Sequence, residues 1–367
     1  MKKIMRQELE NFEPYKPGKP ISEVKRELGL VNVIKLASNE NPLGPSKKAV
    51  TAICKAAKNS FLYPDGGSYE LRKKIADKFD LDINCIIMGS GTDEIIELIG
   101  KAFFNKSDNI VISEHAFIRY KMAADLMGCK TIEVPMKDFT HDLYAMATKV
   151  NNKTKAVFIA NPNNPTGTYN SKNEVEKCIT TVRKRNPETL VVLDEAYYDY
   201  AVVQKDYPRA LPGFVNKYSN VVVLRTFSKV YALAGLRVGF GVAGRGITET
   251  INRIRPPFNV NIIAQEAAVA ALDDNAHVKR SVAMVEKGKK YFYSELRKLG
   301  LTFIPSAANF ILVDVTPKLG RDVFVQLMKK GVIARAMDEY KYSGYIRITI
   351  GTDEQNRFAI SKFKEIF

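Results

Sequence analysis

The sequence predicts an α/β protein with a mostly parallel sheet, followed by a second, smaller α+β domain. Two observations support this prediction. Short apolar runs rich in β-branched residues alternate with helix-like stretches, and the pattern changes after about residue 262. Strands that alternate with helices and are apolar on both faces are typical of a parallel sheet covered by helices. In such sheets, ligands bind at the carboxyl ends of the strands, where the loops gather.

The parallel sheet is predicted from five apolar runs. These are 85-CIIM, 109-NIVI, 155-KAVFIA, 189-TLVVLD and 220-NVVVLR. Helices are predicted between them, because the segment that begins at Asp93 has apolar residues at helical spacing. Ser171 and Glu174 form a capping-box pattern, which predicts the start of another helix.

The smaller domain is predicted from the C-terminal part of the chain. A long helical pattern from residue 262 to 299 precedes two shorter strands, 309-NFILVDV and 345-YIRITIG, which flank the helix-like 321-RDVFVQLMKKG. Three prolines before Ile21 predict an extended arm followed by a short helix. We therefore expect a large domain at 31–262 and a smaller one that combines 1–30 with 263–367.

Composition argues against several classes of protein. The chain has 367 residues and is 46% hydrophobic, which is enough for a large core and more than one domain. Its basic N-terminus lacks the apolar stretch of a signal peptide, and its apolar runs are too short to span a bilayer. We expect a soluble, cytoplasmic protein without a membrane partner. The four cysteines have no CxxC spacing and the three histidines lie far apart, so no metal site is expected.

The formal net charge of +16 could indicate a nucleic-acid-binding protein. However, the basic residues are dispersed as pairs, such as Lys73-Lys74 and Lys289-Lys290, within amphipathic helical patterns. No aromatic-rich basic stripe accompanies them. We therefore favour a solvated basic surface, which can attract an anionic substrate, and expect no nucleic-acid partner.

Two segments after predicted strands could bind a ligand or form ordinary turns. In 89-GSGTDE, small residues let backbone N–H groups approach an anion, and the helix N-terminus adds partial positive charge. In 161-NPNNPTG, two Asn-Pro steps fix a rigid loop and present Asn side chains that both donate and accept hydrogen bonds.

Two further segments place charged residues at strand ends. Asp194 ends the apolar run of 190-LVVLDEAYYDY, so a partly buried carboxylate is expected there. Such a carboxylate needs a cationic partner, and a protonated ring nitrogen would serve. The alternative is that Asp194 caps the N-terminus of a helix. Lys229 stands beside Thr226 and Ser228, with Arg237 eight residues on. Lysine forms Schiff bases with carbonyl cofactors, and hydroxyls with an arginine suit a phosphate. A surface lysine fits poorly, because the following 230-VYALAGL is apolar and small.

The segments NPNNPTG, LDEAY and TFSKVYALAGLRVGF together resemble the pyridoxal-phosphate aminotransferases of fold type I. The N-terminal arm, 36-LASNENPLGPS, 61-FLYPDGGSYELR, 256-PPFNVN and 345-YIRITIGT are similar, more narrowly, to the histidinol-phosphate aminotransferase subgroup. The resemblance covers essentially the whole chain. It implies a large domain with a seven-stranded, mostly parallel sheet flanked by helices, pyridoxal 5'-phosphate as cofactor, and a homodimer with shared active sites.

The resemblance also implies roles for individual residues. Lys229 would hold the cofactor as a Schiff base and move a proton between substrate and cofactor, while Asp194 would keep the ring nitrogen protonated. Tyr197 and Asn164 would hydrogen-bond the phenolic oxygen, and Phe117 would stack on the ring. The phosphate would be held by Gly91, Thr92, Thr226, Ser228 and Arg237, and by Tyr63 of the neighbouring subunit. The substrate would be bound by Tyr15, Asn164, Arg335 and Arg347.

The activity implied is transfer of an amino group between L-histidinol phosphate and 2-oxoglutarate, in histidine biosynthesis. Two alternatives stay open: an aromatic-amino-acid aminotransferase, and a pyridoxal-phosphate-dependent decarboxylase of a phosphorylated amino acid. One segment, 243-AGRGITETINRIR, departs from the family pattern, because it lacks the usual acidic dipeptide turn and is more basic.

Overall fold

A computed structural model describes residues 4–10, 12–14 and 18–367 of the protein. The strands are β1 (Ile34–Lys35), β2 (Ile86–Gly89), β3 (Asn109–Ser113), β4 (Lys130–Val134), β5 (Thr154–Ala160), β6 (Leu190–Asp194), β7 (Val221–Thr226), β8 (Gly239–Ala243), β9 (Phe303–Ile304), β10 (Phe310–Asp314), β11 (Val332–Ile333), β12 (Arg335–Met337) and β13 (Tyr342–Thr349). Over these described ranges the strands form sheets of seven, four and two strands.

Helices connect the strands and cover the sheets. They are α1 (Ile21–Leu28), α2 (Lys47–Ala57), α3 (Tyr69–Phe79), α4 (Thr92–Phe103), α5 (Arg119–Leu126), α6 (Leu143–Thr148), α7 (Lys172–Arg185), α8 (Tyr198–Ala201), α9 (Gly213–Lys217), α10 (Arg245–Ile254), α11 (Ile262–Leu272), α12 (Asn275–Lys298), α13 (Gly320–Lys329) and α14 (Asp353–Lys364). No helix in the part of the chain that the structure describes is long and apolar enough to cross a membrane.

The seven-stranded sheet has the order β2-β8-β7-β6-β5-β3-β4. Only β8 runs antiparallel to its neighbours β2 and β7, whereas the other pairs are parallel. The predicted α/β class is therefore confirmed, and each of the five predicted runs forms a strand. The sequence analysis missed β8 and β4. The first is glycine-rich, and the second lies at the edge of the sheet with half-exposed residues, so neither has a buried β-branched run.

Both faces of this sheet are buried, because successive side chains of a strand point to opposite faces. In β6, Val191 and Leu193 belong to one apolar cluster, with α7 and α11, while Leu190 and Val192 belong to another, with α4, α5 and α10. The capping box predicted at Ser171 and Glu174 forms the start of α7. Helices on both faces leave the carboxyl edge of the sheet open for a site.

The helical pattern predicted over residues 262–299 forms two helices rather than one. It breaks after Leu272, and α12 begins at Asn275. The side chain of Asp274 accepts a hydrogen bond from the backbone N–H of His277 at 2.9 Å, which caps α12. A carboxylate that caps a helix in this way favours a new start over continuation of the previous helix.

The remaining strands bring the two ends of the chain together. The antiparallel sheet has the order β12-β13-β10-β9, and β1 pairs in parallel with β11 through Ile34 and Val332. The backbone N–H of Thr349 donates to the carbonyl oxygen of Leu36 at 2.8 Å. These contacts place residues 34–39 beside β13. The domain boundaries at 31 and 262 stay a prediction.

Candidate active site

A cavity of about 270 Å³ lies where β5, β6 and β7 end, since Ala160, Asp194 and Thr226 line it. Residues 37–40, the start of α4 and side chains from β12 and β13 complete its walls. Most of the predicted site residues meet here: Thr92, Phe117, Asn164, Asp194, Tyr197, Thr226, Ser228, Lys229, Arg237, Arg335 and Arg347.

Lys229 reaches the cavity from the turn that follows β7. The turn is anchored by Phe227, which is fully buried and packs against Phe240, and by the N–H of Ser228, which donates to Thr226 Oγ1 at 3.0 Å. Lys229 Nζ donates to the carbonyl oxygen of Ser38 at 3.1 Å. Burial, and then the positive charge of Arg347, lowers the pKa of Lys229 to about 8. The uncharged amine that attacks a carbonyl is therefore accessible near neutral pH.

Asp194 is a buried carboxylate at the end of β6. Its Oδ2 accepts a hydrogen bond from the Tyr120 hydroxyl at 2.7 Å, and its Oδ1 accepts one from the backbone N–H of Ala196 at 3.1 Å. Burial raises the pKa of Asp194 to about 6, although both hydrogen bonds act in the opposite direction. A cation placed beside this carboxylate would be strongly favoured, because it would compensate the desolvated charge.

Tyr197 follows Asp194 by three residues and lies against the same cavity. Its hydroxyl accepts a hydrogen bond from Asn39 Nδ2 at 2.8 Å, and its ring packs edge-on against Phe310. Lys229 Nζ lies 5.6 Å from the centre of the Tyr197 ring. The hydroxyl of Tyr197 and the amine of Lys229 can therefore act on the same ligand.

The start of α4 and the residues around Lys229 form an anion cradle. Gly91 caps α4 with a φ of +78°, and a Cβ atom there would lie 2.5 Å from Arg237 Nη2. Only glycine accepts both this backbone conformation and the close approach of the guanidinium. The N-terminus of α4, the hydroxyls of Thr226 and Ser228 and the guanidinium of Arg237 are a donor set that suits a phosphate.

Arg347 and Asn164 form the opposite wall. Arg347 Nη1 donates to Asn164 Oδ1, and Nη2 donates to the carbonyl oxygen of Ala37 at 2.6 Å. Its Nε is buried, and among the described residues it has no hydrogen-bond partner. Because these two acceptors are neutral, the positive charge of Arg347 can attract an anionic substrate.

Arg335 lies in the same wall but in a different electrostatic setting. Its Nη2 donates to the carboxylate of Glu339 at 2.6 Å, four residues along the chain. This carboxylate offsets part of the charge of Arg335. The two predicted substrate arginines therefore differ, and Arg347 provides the stronger attraction for an anion.

The loop that contains Phe117 contacts the segment that follows Arg335 through a polar contact and a ring contact. His115 Nδ1 and the carbonyl oxygen of Tyr340 are 2.6 Å apart, and the His115 ring lies 3.9 Å from the Tyr342 ring. Phe117 and Tyr340 both line the cavity. These contacts therefore join two segments of the cavity wall that are distant in the sequence.

Among the described residues, Gly91 and Tyr63 are predicted site residues that do not line this cavity, although Gly91 lies next to Arg237, which does. Tyr15 lies outside the described residues. Tyr63 is 82% exposed and stacks on Phe258, with ring centres 4.8 Å apart. In a single chain, the side chain of Tyr63 is therefore accessible for contact with another protein chain.

Residues 31–363 match the family model described as aminotransferase class I and II. The chain belongs to this aminotransferase family. It is 48% identical to histidinol-phosphate aminotransferase of Moorella thermoacetica, over 98% of this chain and 92% of the relative. It is 46% identical to histidinol-phosphate aminotransferase 2 of Carboxydothermus hydrogenoformans, over 99% of both chains.

A solved structure supports the same relationship for the aminotransferase. Histidinol-phosphate aminotransferase from Sinorhizobium meliloti, in complex with pyridoxal-5'-phosphate, superposes with a TM-score of 0.88 at 25% identity. The match covers 99% of this chain and 97% of that chain. The predicted family resemblance is therefore confirmed.

Sequence analysis missed several groups that shape the aminotransferase cavity. Tyr120 is one; it lies three residues after Phe117 near the start of α5, so helical spacing could have indicated that both face the same region. Asn39 and the carbonyl oxygens of Ala37 and Ser38 are others. Only the quoted segment 36-LASNENPLGPS pointed to them, without indicating what they contact.

Proposed function

We propose that the chain is a histidinol-phosphate aminotransferase that transfers an amino group between L-histidinol phosphate and 2-oxoglutarate with pyridoxal 5'-phosphate as cofactor. The observation that supports this most directly is one cavity that joins a half-buried lysine, a buried carboxylate and three arginines. The near full-length similarity to histidinol-phosphate aminotransferases supports the choice of substrate.

The residues of the cavity fit the cofactor. The phosphate would be held by Thr92 at the N-terminus of α4, by Thr226 and Ser228 and by Arg237, with Gly91 leaving room for the guanidinium. Asn164 and Tyr197 offer polar groups for the phenolic oxygen, and Phe117 offers an apolar face. When bound, pyridoxal phosphate supplies an aldehyde carbon and an electron-withdrawing ring.

Lys229 and Asp194 would do the proton chemistry. Lys229 would hold the cofactor through its neutral amine, which its lowered pKa favours, and would also move the proton at the substrate Cα. Asp194 would keep a proton on the ring nitrogen of the bound cofactor, because a buried carboxylate is stabilised by an adjacent cation. Tyr120 orients that carboxylate from its other side.

Arg347 and Arg335 would bind the anionic groups of the substrates. The same pair has to accept the phosphate of one substrate and a carboxylate of the other, and a guanidinium can contact both anions with two parallel hydrogen bonds. We propose that Tyr15 contributes from the N-terminal arm. The contact between His115 and the carbonyl oxygen of Tyr340 would help to hold the wall of the site in place.

We further propose that two copies of the chain form a dimer with shared active sites. Apolar side chains around Tyr63 are exposed in the single chain, among them Phe61, Leu62 and Phe258. Exposed apolar clusters of this kind are typical of surfaces that bind another protein. Tyr63 would reach the phosphate held by the neighbouring subunit.

The proposed function is tested by absorbance spectra of the purified protein, soaked in pyridoxal phosphate and then titrated with L-histidinol phosphate or phenylalanine. We expect a visible band of bound cofactor that histidinol phosphate removes at much lower concentration than phenylalanine does. Lys229→Ala should lack the band. Lys289→Met is the control, because Lys289 is a buried lysine that donates to the carbonyl oxygen of Ser306 and does not line the cavity.

Each alternative gives a different result. Removal of the band by phenylalanine at equal or lower concentration would favour an aromatic-amino-acid aminotransferase. Release of carbon dioxide from a phosphorylated amino acid, without transamination, would favour a decarboxylase. A wild-type protein that shows no band after soaking would contradict the proposed cofactor.

A further inference from the structure

Residues 37–39 contact three different groups of the site. The carbonyl oxygen of Ala37 accepts from Arg347, the carbonyl oxygen of Ser38 accepts from Lys229, and Asn39 Nδ2 donates to the Tyr197 hydroxyl. Asn39 differs from the other two, because it acts through its side chain. It is therefore the one member of this segment whose contact a substitution can remove.

The hydrogen bonds of Asn39 fix the direction in which its amide points. Asn39 is 1% exposed, and its backbone N–H donates to Thr349 Oγ1 at 3.0 Å. The hydroxyl of Thr349 therefore accepts at its oxygen and directs its own proton to Asn39 Oδ1, at 3.1 Å. With Oδ1 used as an acceptor, the NH₂ group of the amide faces Tyr197.

The direction of the amide decides what the Tyr197 hydroxyl can do. A hydroxyl oxygen that accepts a hydrogen bond from Asn39 retains its own proton for another acceptor. Because Tyr197 lines the cavity, that acceptor can be an oxygen of a bound ligand. Donation by Asn39 also polarises the hydroxyl and makes it a better donor.

We propose that Asn39 is a positioning residue that holds the Tyr197 hydroxyl as a hydrogen-bond donor toward the cavity and links it, through Thr349, to the strand that carries Arg347. This inference rests on the proposed function. Thr349 and Arg347 are two residues apart on β13, so their side chains lie on the same face of the strand. The groups that bind the substrate anion and that contact the cofactor are thereby joined through one buried side chain.

Burial and three neighbouring groups shift the pKa of the Tyr197 hydroxyl. Burial raises the pKa of Tyr197, and the charge of Asp194 acts in the same direction, whereas the charge of Arg347 and the hydrogen bond from Asn39 lower it. Lys229 faces the ring of Tyr197. Removal of the Asn39 side chain leaves these charged groups in place and takes away its hydrogen bonds to Tyr197 and Thr349, of which only the first reaches the Tyr197 hydroxyl.

The test is a pH titration of the visible absorbance of the protein loaded with pyridoxal phosphate. Donation by Tyr197 stabilises a negatively charged ligand oxygen, so its loss in Tyr197→Phe should raise the pH midpoint of the colour change. Asn39→Ala should raise the midpoint by a smaller amount. The double variant should match Tyr197→Phe, because Asn39 acts through Tyr197.

Asn41→Ala is the matched control. Asn41 lies two residues after Asn39 and is buried, but its Nδ2 donates to the carbonyl oxygen of Val230 and to Ser281 Oγ. We expect Asn41→Ala to keep the wild-type midpoint even where it lowers the free energy of unfolding. An equal shift in Asn41→Ala and Asn39→Ala would overturn the inference, since it would report a general disturbance of the segment.

The remaining outcomes separate this inference from the proposed function. A shift in Tyr197→Phe but none in Asn39→Ala overturns the inference alone. A wild-type protein without a visible band overturns the proposed function and the inference together. Should Asn39→Ala fail to fold, Thr349→Val removes the hydroxyl that fixes the amide; a raised midpoint supports the inference, and an unchanged one overturns it.

Discussion

The two halves of the cavity are built in different ways. In the cofactor half, Asp194 ends β6 and Lys229 lies three residues after β7, so neighbouring parallel strands bring them together. In the substrate half, Arg347 of β13 bonds to Ala37, which is 310 residues away in the sequence. The cofactor half is therefore assembled by neighbouring strands of one sheet, whereas the substrate half is assembled by tertiary contacts between the two ends of the chain.

This difference has an electrostatic counterpart. The cofactor half contains buried charges, and the pKa values of Asp194 and Lys229 are both shifted by burial toward neutrality. In the substrate half, the guanidinium of Arg347 is held by neutral oxygen acceptors. The first half is suited to proton transfer and the second to binding of an anion.

The largest effect is expected from Asp194→Asn in the cofactor half. A neutral amide cannot hold a proton on the ring nitrogen, so kcat should fall by about a hundredfold or more while the cofactor stays bound. Glu195→Gln is the control, because Glu195 is buried on the next position but pairs with Arg225 at 2.8 Å. Steady-state kinetics of both loaded variants make the comparison; wild-type kcat in Asp194→Asn would remove Asp194 from the mechanism.

The same substitution should change stability in the protein without cofactor. The pKa of Asp194 is raised from 3.8 to about 6, so the folded state binds the proton more tightly than the unfolded state does. The stability from this group is present below pH 4 and is lost as the pH rises toward 6. Asp194→Asn should lack this part of the pH dependence, which denaturant unfolding at several pH values measures.

A smaller effect is expected from Arg347→Lys in the substrate half. Lysine keeps the charge but cannot reproduce the two guanidinium contacts, so KM for anionic substrates should rise about tenfold or more, as expected for loss of one hydrogen bond to a charged group. Arg335→Lys should raise KM less, because Glu339 already offsets the charge of Arg335. Equal KM values in the two variants would contradict the proposed difference between the two arginines. If either variant loses the visible band of the bound cofactor, the arginine that it replaces belongs to the cofactor half instead.

The same contrast explains how much the sequence could predict. The strands β2, β3, β5, β6 and β7 and the residues at their ends follow from apolar runs and from the turn residues that bound them, which are local signals. Arg347 was reached only through the family resemblance, since a strand arginine has no local signature. Tyr120 and Asn39 were missed, because their importance comes from hydrogen bonds across 74 and 158 residues of sequence.

The smallest effect is expected at Tyr63, which belongs to neither half within one chain. Its side chain is 82% exposed, so Tyr63→Phe should leave the stability of the single chain unchanged. If Tyr63 completes the site of a second copy, loss of its hydroxyl should weaken pyridoxal phosphate binding by about fivefold, the effect of one hydrogen bond of ~1 kcal/mol.

Tyr144→Phe is the control, because Tyr144 is 78% exposed on α6 and has no proposed role. Titration with pyridoxal phosphate, monitored by absorbance, measures the affinity of each variant for the cofactor. Light scattering measures the mass of the particle and so the number of chains in it. A two-chain particle whose Tyr63→Phe and Tyr144→Phe variants bind the cofactor equally would leave the dimer intact but remove Tyr63 from the shared site.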